Sequence, residues 1–320
     1  MPSLSGAGAA LRRHYARFFF TTTDPRNLAL DRILLFAFAL VYFGTYRPVD
    51  FTAYAEIPDL FLQVPVIPRR LGFEVGSRGT LQAVQLLWVV SSVAACLGFL
   101  TRASMLLATA LFTYLVVLTN AFGHVRIGHP LLVFAMAILC LSPAGDVWSV
   151  DAVLRRRRSG PAPVREEPHV WPRRLIFLLP ILTFWGAGIE KVHTSGFSWG
   201  WSDTLEHTVR SARYSFALSD LQGQLGAFAV THLPLRLVGA MSLALELSAP
   251  LVLVGPRARA AMIGAYASFI LGIWLLMAEP MFEFAALLEF GVDWIGLTAL
   301  AGAALTRRKR LRAARAAATS

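Results

Sequence analysis

The chain has 320 residues, of which 56% are hydrophobic and only 15% charged, with a formal net charge of +11. Soluble domains carry about 25% charged residues, so composition excludes an ordinary soluble domain and points to a polytopic membrane protein. The arginines cluster between apolar runs, where they orient helices in a lipid bilayer. That placement argues against nucleic acid as a partner.

Residues 1–26 contain no apolar stretch ahead of a signal cleavage site. The segment LRRHYARFFF reads instead as a basic, aromatic helix lying in the membrane interface. Eight segments then approach the roughly 20 apolar residues that a spanning helix needs: 27–46, 80–100, 103–122, 129–145, 172–192, 235–254, 258–278 and 283–305. Asp24 and Pro25 supply a start signal for the first. The fourth is short, and the eighth contains Glu289 and Asp293. The expected fold class is therefore all-α, an integral membrane bundle of about eight helices over residues 27–305. A polar, mobile linker at 146–171 divides it into two four-helix halves, and a basic tail occupies 306–320. The intervening segments 47–79 and 193–234 are long and carry aromatic residues that suit the outer interface.

Starting with the N-terminus in the cytoplasm, eight alternating spans put 20 of the 30 Lys and Arg residues on that side. The positive-inside rule thus places both termini in the cytoplasm and the protein, multi-pass, in a cell inner (plasma) membrane. Cys96 and Cys140 both fall inside apolar runs and form neither a disulfide framework nor a metal spacing.

Candidate chemistry gathers toward the outer side. The chain has only two lysines, and one of them, Lys191, closes the apolar fifth segment in WGAGIEKVHTSGFSWGW. A lysine here either snorkels to water or is desolvated enough to act as a base; arginine stays protonated and serves only the first purpose. Glu190 points about a quarter turn away. Gly186, Ala187 and Gly188 allow a neighbouring helix to approach. His129, opening the fourth segment in GHVRIGHP, meets the same leaflet, as do His124, Arg126 and His193. It either hydrogen-bonds its loop or serves a ligand as acid or hydrogen-bond donor. His124 and His129 alone make no metal site. Glu246 lies mid-span and Asp31 and Arg32 one turn into the first span. Each is a functional or an interhelical group by default. Glu279, Glu283 and Glu289 lie near an outer turn and carry less weight. Trp185, Trp199 and Trp201 can wall an apolar pocket. No P-loop, GxSxG, HExxH or strand-linked GxGxxG pattern occurs.

Four stretches resemble a known family in matching order: DPRNLALDRILLF, HPLLVFAMAILCLSPAGDVWSVDAVL, WPRRLIFLLPILTFWGAGIEKVHTSGFSW and ALELSAPLVLVGPRAR. They are similar to the HTTM domain, the membrane domain shared with vitamin K-dependent gamma-carboxylase. WSVD at 148–151 and AGIEK at 187–191 are the most specific pieces. The resemblance spans about residues 18–305. It implies a reduced vitamin K or menaquinol-like quinol as ligand, Lys191 as the base that deprotonates it, and His129 as a supporting acid or donor. It also implies a carboxylase or quinol-oxidising, lyase-like activity.

The chain departs from that pattern at YASFI, 266–270, where relatives often carry a His, and at Glu190, where the animal enzyme has a second Lys. It is also expected to lack the large lumenal region through which the animal enzyme binds protein substrates. These differences favour a quinol-like ligand over glutamate carboxylation. Two further readings follow from the same residues. One is a non-catalytic membrane factor for maturation of, or immunity to, a small exported peptide. The other is a carrier for a lipid or small acid, with Glu246 and Arg32 facing a cavity.

Overall fold

The computed structural model describes residues 4–46, 48–123, 126–159, 170–215, 219–300 and 303. The regular elements among them are helical. In chain order, α1 covers Leu4–Phe19 and α2 covers Pro25–Val41, which runs on as a π turn at Tyr42–Tyr46. After two 3₁₀ turns come α3 (Val66–Arg70), α4 (Arg78–Leu97), α5 (Thr101–Ala121), α6 (Gly128–Cys140) and α7 (Val150–Ser159). The second part contains α8 (Val170–Ser195), α9 (Ser198–Trp201), α10 (Thr204–Ser215), α11 (Asp220–His232), α12 (Leu235–Leu247), α13 (Pro256–Met277) and α14 (Phe282–Leu288).

Local chemistry explains several of these boundaries. The Asp24 carboxylate accepts the Arg26 N–H, and Pro25 occupies the first turn of α2. At the α4–α5 corner Gly98 takes a left-handed conformation, with φ +68°, and a Cβ there would collide with Ser149. The corner is fixed from outside by Asp151, whose carboxylate accepts the N–H groups of Leu100 and Thr101 and the Thr101 hydroxyl. Asp151 thus caps α5 from the start of α7, giving the WSVD stretch a structural task. Burial works against its ionised form, but these hydrogen bonds and the Arg155 charge outweigh it and hold the carboxyl below its usual range.

Asp151→Ala is therefore expected to lower stability by about 1–2 kcal/mol at neutral pH, the usual cost of a lost cap. The folded-state pKa is depressed, so this contribution is whole above the unfolded value near 3.8 and is lost as pH falls through the folded one. Thermal midpoints of wild type and variant should converge in acid. A gap that persists there contradicts the capping role.

Five helices among the described residues are long and apolar enough to cross a membrane: Pro25–Tyr46, Arg78–Leu97, Thr101–Ala121, Val170–Ser195 and Pro256–Met277. The pair α11–α12, bent by 104°, makes a sixth if it counts as one span. The protein is a multi-pass membrane protein, and its described residues hold five or six candidate spans where eight were expected along the chain. Two reasons account for the difference. The segment expected at 129–145 forms the 13-residue α6, about 20 Å long against a hydrocarbon core of about 30 Å. The segment expected at 283–305 breaks after seven residues of α14, at a 3₁₀ turn over Glu289–Gly291. Likewise the segment at 235–254 ends as a helix at Leu247 and continues as a 3₁₀ turn at Ala249–Leu253.

The short α6 packs against α5, α8 and α14, so protein covers most of it, with Phe134 left exposed. Its Leu132, Ala135, Met136 and Leu139 are fully buried. The first half of the bundle centres on Phe36, Trp88 and Phe112, with Trp88 stacked on Phe112 at 5.6 Å. The expected mobile linker begins instead as helix α7; residues 160–169 and the basic tail 306–320 lie outside the described residues. The 193–234 stretch is largely helical, as α9, α10 and α11.

Candidate functional site

The last turns of α8 carry the chain's unusual lysine against α12. Gly188 makes the approach close enough: a Cβ there would stand 2.9 Å from the Glu246 Cβ. One turn on, the Lys191 ammonium donates to both oxygens of Glu246, at 2.5 and 2.7 Å. Its nitrogen also lies 4.2 Å from the centroid of the Trp199 ring, a cation–π distance. The Glu246 side chain is 4% exposed and that of Lys191 23%. Lys191 is thus neither a snorkelling amine nor an isolated one. It is the exposed half of an interhelical ion pair.

This pair forms part of the wall of a cavity of about 870 Å³ between α8, α12, α13 and the 278–284 segment. The rest of the wall is mainly apolar, with Phe184, Met241, Phe269, Ile273 and Met281 among its side chains. Phe184 is held by a 4.6 Å stack on Tyr266, whose hydroxyl donates to the Leu245 carbonyl. Tyr266 thus takes up the first position of YASFI as a packing residue.

A second polar group also lines the cavity. Arg126 pairs with Glu279 at 3.2 Å, and the Glu283 carboxylate lies 3.4 Å from the His129 Nε2. Arg126, Gly128, Glu279 and Glu283 line the cavity, whereas His129 does not. His129 is buried behind Glu283 against Phe43, with its Nδ1 unpartnered. Any action of His129 on a ligand therefore passes through Glu283. The low weight given to Glu279 and Glu283 is corrected by these contacts. Arg126 and Glu279 lie just before α6 and α14, and His129 and Glu283 in their first turns, so the two helix starts meet through both pairs.

Other expected site residues lie elsewhere. Arg32 is fully buried and donates to the carbonyls of Ala144, Trp148 and Cys96, fastening α2 to the WSVD corner. It does not share the Glu246 cavity, because α12 places Glu246 beside the end of α8. Trp185 and Trp201 are exposed and absent from the wall, as is His193; of the three tryptophans only Trp199 lines it. His124 lies outside the described residues. Among those residues no group of three or more His, Cys, Asp or Glu side chains could hold a metal ion.

Gly188 offers a direct check of this geometry. Gly188→Val forces α8 and α12 apart, and overpacking of this kind costs about 1–3 kcal/mol. A lowered unfolding temperature together with loss of the Lys191–Glu246 contact is expected. Wild-type stability in this variant would show that the helices do not meet there.

Residues 20–294 match the HTTM domain. The chain belongs to the HTTM-domain family. No curated protein and no solved structure matches it significantly. The matched region of this HTTM protein contains every cavity residue named above, while all of α1 precedes it.

Proposed function

We propose that the cavity binds a long apolar ligand with a proton-bearing polar head, a reduced vitamin K or menaquinol-like quinol, and that Lys191 and Glu246 act on it as one acid–base unit. The observation that carries this reading is the Lys191–Glu246 pair on the wall of an otherwise apolar cavity. The size suits such a ligand, since small-molecule sites occupy about 300–1,000 Å³ and combine apolar walls with a few polar groups. Both termini are taken to lie in the cytoplasm of a cell with this protein in its inner membrane, and the cavity then opens toward the outer face.

A bound quinol supplies an ionisable hydroxyl and two electrons. The chain's part is to receive the proton. Lys191 first passes a proton to Glu246 within their hydrogen bond, and the neutral amine then accepts one from the ligand hydroxyl. Amine and carboxylate share one hydrogen-bonded contact, so the two act as a unit. Trp199 holds the ammonium by its ring face, and Glu283, paired with His129, provides a further acceptor on the cavity wall. An arginine in place of Lys191 would keep the charge but not the chemistry, because guanidinium does not release its proton.

The test is turnover of a naphthoquinol under dioxygen by purified protein, forming either quinone and hydrogen peroxide or epoxide and water. Lys191→Arg is expected to lower turnover by about 10²–10⁴-fold, the usual contribution of a general base. Absence of turnover in the wild type, or unchanged turnover in Lys191→Ala, removes the enzymatic reading. Retained cellular function in Lys191→Arg would favour the non-catalytic role with an exported peptide.

A further inference from the structure

The opposite end of the bundle holds two arginines that no described residue neutralises. Arg174, near the start of α8, and Arg259, in the first turns of α13, meet over the same ring. Their guanidinium carbons lie 5.3 and 4.9 Å from the centroid of Phe18, which α1 buries between them. The Nε atoms of both arginines are buried without a hydrogen-bond partner, and neither side chain forms an ion pair among the described residues. Asp293 is near enough to act on Arg174 electrostatically. It forms no ion pair with Arg174, and its Oδ1 accepts from the Asn27 amide and the Gly296 N–H. The neighbouring Arg173 is fully used by Asp31 and the Val292 carbonyl.

Two like charges held together in a partly buried place repel, and the arrangement calls for an anion. The starts of α8 and α13 add the partial positive charge of helix N-termini. Forked guanidiniums suit a phosphate more than any other common anion. The surroundings indicate how that phosphate arrives. Leu251, Leu253 and Val254 beside Arg259, and Leu175 beside Arg174, are exposed apolar residues. Only 17% of the apolar window of α13 is buried, so its flank is free for acyl chains. The helix α1 continues the surface with exposed Arg12, Arg13, Arg17 and Tyr15 and is tied down by His14 against the Leu253 carbonyl.

We propose that Arg174 and Arg259 form a binding site for the headgroup phosphate of an anionic phospholipid, with α1 as its cover and Phe18 as the platform that sets the two guanidiniums. The site is separate from the cavity at Lys191 and does not depend on its chemistry.

Wild-type full-length protein, reconstituted in phosphatidylcholine discs containing or lacking phosphatidylglycerol and then released in detergent, should retain phosphatidylglycerol in excess of its share by native mass spectrometry. The same lipid should raise the unfolding temperature. Arg174→Gln and Arg259→Gln are each expected to lower retention about fivefold, the effect of one basic residue at a lipid surface. Arg257→Gln, an exposed neighbour, should change it little. Equal retention of both lipids by the wild type overturns the proposal without reference to any variant. Unchanged retention in both folded variants also overturns it. Inorganic phosphate that stabilises the protein in phosphatidylcholine as strongly as the anionic lipid does would overturn the lipid as the source.

Discussion

Asp31→Ala is expected to lower stability by about 3–5 kcal/mol, a larger loss than that from the Asp151 cap or the Gly188 contact. Asp31 and Arg173 join α2 to α8 with side chains 0% and 4% exposed. Two hydrogen bonds link them, from Nε at 2.5 Å and from Nη2 at 3.2 Å, and the same Nη2 donates to the Val292 carbonyl at 2.6 Å. Removing the carboxylate strands a guanidinium among protein atoms; Glu289 acts on it electrostatically but forms no ion pair with it. The cost is that of an uncompensated buried charge rather than the net worth of the pair. The double variant Asp31→Leu/Arg173→Met removes both charges and is expected to recover most of the loss. Thermal unfolding of the reconstituted protein measures both quantities. A single-variant loss below about 1 kcal/mol, the scale of an exposed pair, contradicts the buried role.

Glu246→Gln is expected to leave the fold intact and reduce quinol turnover about 10²–10⁴-fold. The amide keeps the size and much of the hydrogen bonding of the carboxylate but cannot take the Lys191 proton. Glu246→Ala goes further, because it removes the acceptor altogether and leaves Lys191 unpaired, although the Cβ that faces Gly188 stays. The pair double variant Lys191→Met/Glu246→Leu should fold, since replacing a buried pair by apolar side chains of similar volume is often neutral. It should nevertheless be inactive. Folding and catalysis are thereby separated: one variant keeps the fold and loses the chemistry by a single atom change, and the other does so without any charge. Activity in the double variant would show that the pair serves structure alone.

Much of this arrangement could be anticipated from residue types, and the remainder depends on contacts between distant segments. Lys191 stood out because an arginine-rich chain places one of its two lysines at the end of an apolar run. Glu246 stood out because a mid-span carboxylate is costly without a partner. That the two are partners was not legible, since 55 residues and a 104° bend between α11 and α12 separate their elements. The helix start at Asp24–Pro25 followed from local capping chemistry alone. The number of spans did not, because hydropathy treats a short helix covered by protein and one exposed to lipid alike. α6 is as apolar as a membrane span but packs one face against α5, α8 and α14. Arg32 and Asp31 adjoin in sequence yet do unrelated work, one binding backbone carbonyls and the other Arg173. Adjacent helical residues face different directions, and only the packed neighbours determine which partner each meets.

The central claim is that the cavity beside Lys191 and Glu246 is a ligand site. Photolabelling with a diazirine-bearing naphthoquinone tests it most directly, with the modified residues located by peptide mass spectrometry. Labels on Met241, Met277, Met281 or Trp199, all on the cavity wall, and their loss on adding unlabelled naphthoquinol, are the predicted result. Labels distributed over the exposed face of α4, at Leu86 and Val90, and insensitive to that competitor would contradict it.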